Sequence, residues 1–319
     1  MIESSAAQVT LQNCRVNMNV FSFKYRNVIL GVTAIAVGYC AVLTPHTVFL
    51  KKYRYMVARY QMSKEVPLGS KIQERIQKVM DDLKLPDDVR NAIKPFSVFG
   101  FDMLHAGTLN AKYGAILGIP VNFTNTAEQL HENLCIKEEP VDWTRQDARI
   151  FLKAVMLSED AQKFAIAREI LRIQAEEPYF NSLVLVLTVA ALWTLCSVVS
   201  YRFRLREGNA TVRRIFYAVF TLFGVILWLG VKDYRSNQLD KRDDEALCRL
   251  GAEYIKGGQE FYEKMLIRNR ALRSLLGPEG KKIYTAYGNE ETFLRQKHMP
   301  ITHRKDFFDF HLRNLEGMK

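Results

Sequence analysis

The sequence predicts a mainly helical membrane protein, with three transmembrane helices and a mixed, mostly helical soluble region that has room for a small β-sheet. Three observations predict it. Residues 27–50, 178–201 and 215–231 carry no Asp, Glu, Lys or Arg, and a bilayer core of about 30 Å is crossed by roughly 20 apolar residues in a helix. The polar segments between them repeat apolar residues at helical spacing. Two short runs rich in Phe, Val and Ile lie between Gly, Pro and Asn in the first polar segment, as strands do. The composition of the 319 residues (48% hydrophobic, net charge +11) excludes a disordered chain. Five scattered cysteines exclude a disulfide scaffold.

The elements follow in order. Residues 1–26 form an N-terminal tail with one acid, Glu3, against Arg15, Lys24 and Arg26. Three basic residues make a poor transit peptide, so the first span and its flank are expected to act as an uncleaved internal signal. The first span, 27–50, is diluted by Gly31, Gly38, Pro45 and His46. Gly31, Ala34 and Gly38 form a strip of small residues that suits close approach of another helix. Residues 51–177 form a soluble α(+β) region with 19 basic and 18 acidic residues, a balance that argues against a nucleic-acid surface. Ile72, Ile76, Val79, Met80 and Leu83 mark a helix ended by Pro86. PFSVFGFDML (Pro95–Leu104) and GAILGIPVNF (Gly114–Phe123) are the candidate strands. Thr144 and Ser158 are candidate N-caps for the two helices that follow. On the second of these, Phe164, Ala167, Ile170 and Leu171 share a face, with Lys163, Arg168, Glu169 and Arg172 largely off it.

The second span, 178–201, is apolar on every helical face and flanked by Tyr179, Phe180 and Tyr201, where aromatic rings favour the headgroup level. The third, 215–231, is at the short limit; its bland alternative is a buried core helix. The loop 202–214 between them holds five Arg against Glu207. The positive-inside rule therefore puts this loop and the N-terminus on one face and residues 51–177 and 232–319 on the other. Lys51, Lys52, Arg54, Arg59 and Lys64 crowd the far end of the first span and oppose that orientation. Residues 232–319 read as two helices broken at Gly257–Gly258, stopped at Gly277–Pro278, then an extended tail.

Catalytic and metal-binding patterns are missing from the sequence. No C-x-x-C or H-E-x-x-H pattern occurs, so no cofactor or metal is expected. The segment G-P-E-G-K-K at 277–282 lacks the spacing of a phosphate loop. Cys135 and Cys248 lie on the same expected side, where a disulfide between them is conceivable. The spans hold no ionisable residue apart from His46, which argues against a transporter. An enzyme with an unfamiliar site would draw on Asp102, His105 or the histidines at 298, 303 and 311.

Two passages, AQKFAIAREI (Ala161–Ile170) and GGQEFYEKMLIRNRALRSLLGPEGKKIYTAYGN (Gly257–Asn289), resemble signature blocks of the transmembrane protein 177 family; Gly114–Phe123 and Lys297–Asp306 match more weakly. The resemblance implies a multi-pass protein of the mitochondrial inner membrane, in which the charge asymmetry places the N-terminus and loop 202–214 on the matrix side. It further implies a non-enzymatic role in biogenesis of cytochrome c oxidase subunit II. The implied partners are that subunit, its membrane chaperone (cytochrome c oxidase assembly protein 20), copper-delivery factors and the lipid bilayer. Within the blocks, Lys163, Phe164, Arg168, Glu169, Phe261, Tyr262, Glu263, Lys264 and Arg273 are the candidate motif. Either they pack and pair helices, as apolar stripes usually do, or the Phe261–Gly277 helix docks a partner through exposed aromatic and Arg anchors. A general inner-membrane scaffold is the alternative to client-specific assembly.

Overall fold

The structure is a computed structural model that describes residues 28–29, 31–133, 135–136, 139–205, 207–292 and 295–317. The N-terminal tail 1–26 and its targeting reading lie outside them. In chain order, α1 (Gly31–His46) and α2 (Leu50–Val57) precede a hairpin of β1 (Tyr60–Gln61) and β2 (Lys64–Glu65). Then come α3 (Ser70–Asp82), α4 (Asp87–Ala92), β3 (Ile93–Val98), β4 (Leu104–Gly107) and β5 (Ala115–Pro120). After α5 (Ala127–Asn133), the strands β6 (Cys135–Ile136) and β7 (Glu139–Pro140) pair, followed by α6 (Gln146–Val155) and α7 (Glu159–Gln174). The remainder is helical: α8 (Glu177–Arg202), α9 (Ala210–Cys248), α10 (Ala252–Leu275), α11 (Pro278–Ile283) and α12 (Ile301–Gly317). Two compact units emerge, Met1–Leu43 with Tyr179–Val231, and Thr44–Pro178 with Lys232–Lys319.

The first unit is the membrane unit. Two helices, α8 and α9, are long and apolar enough to cross a bilayer, and α1 with α2 makes a third candidate only as a bent pair. Leu183, Leu187 and Val198 on α8, and Ile215, Leu222 and Ile226 on α9, are exposed, as side chains solvated by lipid are. Polar side chains return hydrogen bonds to their own helices: Thr188 to the Val184 carbonyl (2.7 Å) and Thr221 to that of Tyr217 (2.8 Å). The small-residue strip of α1 is used inside this chain. A Cβ on Gly31 would stand 3.1 Å from Trp193 Nε1, and one on Gly38 3.2 Å from Leu185 Cδ2.

The expected first span, 27–50, contains a bend between His46 and Leu50. Thr44–His46 is a 3-10 turn, and the Thr47 and Phe49 amides both donate to the Thr44 carbonyl. Pro45 carries no amide hydrogen, so the α-helical ladder ends beside it. The helix that holds the third expected span, 215–231, runs unbroken from Ala210 to Cys248, and the membrane unit ends at Val231.

In the second unit β5 lies between β3, parallel to it, and β4, antiparallel. β5 falls within the second candidate run, β3 starts two residues before the first and overlaps it over Pro95–Val98, and β4 begins at its last residue, Leu104. Helix α7 is the core of the unit. Phe164, Ala165, Ile166, Ala167 and Ile170 are fully buried, and so are its polar residues Lys163, Glu169 and Arg172, each about 5–6% exposed. The expectation that those charges lie off the packed face fails because α3, β4, β5 and α10 surround the helix. Ser158 caps α7, its hydroxyl accepting from the Ala161 amide at 3.2 Å. Thr144 caps nothing: its hydroxyl and amide donate to Asp142, and the N-cap position of α6 is Arg145.

Gly257–Gly258 does not break a helix. The break falls at Arg249–Gly251, where Gly251 takes φ 130°, and α10 passes straight through the pair. A Cβ at 257 would come 2.3 Å from the Asp160 carbonyl oxygen, and one at 258 would come 2.6 Å from the Phe308 ring. The glycines permit close helix approach. The expected stop at Gly277–Pro278 stands, with Gly277 at φ 62° and Pro278 opening α11. The expected extended tail contains α12, and Phe308 on it is fully buried against Phe164 and Tyr262. Cys248 is a free thiol, so the conceived disulfide is not formed; the Cys135 side chain lies outside the described residues.

Candidate functional site

A polar cleft of about 630 Å³ opens in the second unit, bounded by Asp102–His105 at the entry to β4, by α7 and α10, and by residues from Tyr284 to Thr292 and from Gln296 to Arg304. Its floor is a buried charge network joining five helices. Arg304 of α12 donates Nε and Nη2 to the two Asp244 oxygens, each at 2.7 Å, and Nη1 to Asp240 Oδ1 at 2.6 Å. Arg172 of α7 binds the same Asp240 oxygen and Glu177 Oε1 (2.7 Å). Its Nε lies 3.1 Å from Asp243 Oδ2, an atom left without an aligned hydrogen bond. The Tyr262 hydroxyl of α10 donates to Asp244 at 2.9 Å, and the Arg304 guanidinium lies 4.7 Å from the Tyr262 ring centre.

Burial and charge act against each other here. Desolvation works to raise the Asp240 pKa, but hydrogen bonding by His298 and the charges of Arg304 and Arg172 outweigh it and hold the carboxyl below its usual range. At Asp243 desolvation wins over Arg242 and Arg172, and the pKa rises. Burial drives the Tyr262 phenol well above 10.

One wall holds a second cluster. Arg168 Nη2 donates to Glu169 Oε1 at 2.6 Å, and His105 Nδ1 meets the other Glu169 oxygen. Burial would raise the Glu169 pKa, yet the Arg168 charge and the His105 contact bring it below the carboxylate range. Arg268 Nη1 donates to Asp102 at 2.6 Å.

Of the nine motif residues, Arg168, Glu169 and Tyr262 line this cleft. Phe164 and Phe261 pack ring to ring in the core (centroids 5.6 Å apart), and Arg168 lies 5.1 Å from the Phe261 ring. Lys163 pairs with Glu253 at 3.3 Å, away from the cleft. Glu263 accepts from Gln259 (2.9 Å), Lys264 pairs with Glu260 (2.7 Å), and Arg273 donates to the Tyr284 carbonyl (3.0 Å). Exposed aromatic anchors on α10 are not what the structure presents: Phe261 is 6% and Tyr262 1% exposed. Sequence reasoning missed Asp240, Asp244, Arg268 and Arg304. A signal existed in the acids at 240, 243 and 244, which share a helical face. Among the described residues no group of three or more His, Cys, Asp or Glu is placed to hold a metal.

These features define a membrane-anchored helical protein whose soluble unit is locked by internal ion pairs around a polar cleft. The family model for Transmembrane protein 177 matches residues 23–307. The chain belongs to that family. It is 31% identical over 286 residues to Transmembrane protein 177 of Homo sapiens, covering 86% of this chain and 90% of the human one. The Xenopus laevis protein of the same name is 28% identical over 292 residues (90% and 93%), and the Danio rerio one 29% over 302 (91% and 95%). None of these names states an enzymatic activity. No solved structure matches the chain.

Proposed function

We propose that this protein is a non-enzymatic assembly factor of the mitochondrial inner membrane. It stabilises newly made cytochrome c oxidase subunit II together with cytochrome c oxidase assembly protein 20, while copper-delivery factors act. The reading rests on family membership across residues 23–307. A supporting feature is that the family-like blocks serve folding: Phe164, Phe261 and Tyr262 are core residues. Segments 51–177 and 232–319 fold into one unit, which supports placing both on one membrane face and loop 202–214 on the other, the matrix side by its charge.

Purification of the tagged full chain in mild detergent after pulse-labelling of mitochondrial translation tests this. Labelled subunit II is expected to co-purify, and its absence would sink the proposal. Loss of many inner-membrane complexes alike on depletion would favour a general scaffold instead. Protease protection of a C-terminal tag in mitoplasts reads the orientation.

A second reading, an enzyme, draws on the convergence of Asp102, His105 and His298 on one cleft. Against it, Glu169 and Asp240 are held ionised in ion pairs with Arg168, Arg172 and Arg304, and a locked ion pair is a poor proton shuttle.

A further inference from the structure

We infer that α2 and the β1–β2 hairpin form an interfacial foot that seats on the anionic phospholipid headgroups of the membrane the spans cross. The exposed face of α2 carries Lys52, Tyr55, Met56 and, one turn earlier, Phe49, while Leu50, Tyr53 and Val57 face a small core with Phe96 and Val98. Tyr55 and Met56 are 71% and 73% exposed. The patch continues beyond the helix. Tyr60 of β1 sits 5.3 Å from the Tyr55 ring, and the Phe99 amide bonds the Val57 carbonyl, leaving the Phe99 side chain 84% exposed. At the hairpin tip Met62 is 92% exposed and has φ 48°, a position where Asn or Gly is the usual choice. An exposed apolar group of this extent marks an interaction surface.

Two observations select lipid as the occupant. Phe49 follows Leu43, the last residue of α1 that belongs to the membrane unit, by only six residues, so the patch begins within a short tether of the first span. The charge also matches. Residues 47–73 hold Lys51, Lys52, Arg54, Arg59, Lys64 and Lys71 against a single acid, Glu65, which Arg54 neutralises at 2.6 Å. Basic residues interleaved with aromatic and Met side chains are the pattern of a helix lying in the interface. The basic cluster that opposes the positive-inside pattern thus has its own role, headgroup contact.

The full chain reconstituted in phosphatidylcholine vesicles, with and without phosphatidylglycerol, tests this. An environment-sensitive dye on Met62→Cys, corrected for labelled wild-type chain, is compared with the same dye on Asp88→Cys, an exposed site on α4. Nitroxide-labelled lipid is expected to quench position 62 several-fold more than position 88, most strongly with phosphatidylglycerol. The double reversal Lys51→Glu/Lys52→Glu is expected to remove the phosphatidylglycerol enhancement. Met62→Trp read with brominated lipid reports the same contact without thiol labelling. Equal, water-like behaviour at 62 and 88 would overturn the inference. So would a site shielded from water but not quenched by lipid, which means a protein covers it, or an enhancement that survives charge reversal.

Discussion

Replacing Arg304 by methionine keeps most of the side-chain volume and removes the charge that ties α12 to α9. Arg304 is 5% exposed and makes three charge-assisted hydrogen bonds, two to Asp244 and one to Asp240. Asp240 retains Arg172 and the Met299 amide, so the loss falls mainly on Asp244, which is 3% exposed and keeps the Tyr262 hydroxyl. Removing one partner of a buried pair costs about 3–5 kcal/mol, because the other charge is left desolvated. For a unit of about 220 residues, each kcal/mol moves the melting point by about 2–4 °C, which gives a loss of roughly 6–20 °C. Thermal unfolding of the full chain in mild detergent, followed by intrinsic fluorescence, reads this shift. Adding Asp244→Asn to Arg304→Met removes the stranded charge and is expected to recover part of the loss. A shift under about 2 °C for the single variant, or a double variant worse than the single by the full cost of another pair, would refute the reasoning.

Three further outcomes follow from the same contacts. Asp240 and Glu169 have depressed folded pKa values, so the stability they contribute is present above about pH 4 and lost as pH falls through the folded values. The Asp243 pKa is raised, so its ionisation opposes folding at neutral pH. Asp240→Asn is therefore expected to lower the melting point at pH 7 well beyond Asp243→Asn, and equal losses would contradict the assigned directions. Gly257→Ala drives a Cβ into the Asp160 carbonyl; overpacking of this kind costs about 1–3 kcal/mol or more, whereas Gly230→Ala, with open space at its Cβ, is expected to be near neutral in the same melt. The Cys248 thiol is pushed up to about 12 by burial and by Asp244 and Glu245. Iodoacetamide at pH 8 is expected to leave it unmodified in the folded chain and alkylate it in urea, as mass spectrometry of the tryptic peptide reports; rapid alkylation when folded would count against its assigned environment.

The sequence by itself determined what depends on composition and on neighbours within a few turns. The charge-free stretches within α8 and α9, the run that overlaps β3 and the run that holds β5, the Ser158 cap and the stop at Gly277–Pro278 are local properties, and local physics is written in local residues. The tail reads as extended, yet its helix has a local signal too, since Ile301, Phe308, Leu312 and Leu315 recur at helical spacing. Tertiary structure alone decided the rest. Gly257–Gly258 carries the signal of a helix break, yet it is where the Asp160 backbone and the Phe308 ring press against α10. The charges of α7 read as lying largely off its packed face, yet Arg172 meets Asp240 across 68 residues, and Arg304 of α12 meets Asp244 across 60. Partners so distant in sequence leave no periodic trace, because the free energy of burying a charge is set by what stands beside it in space.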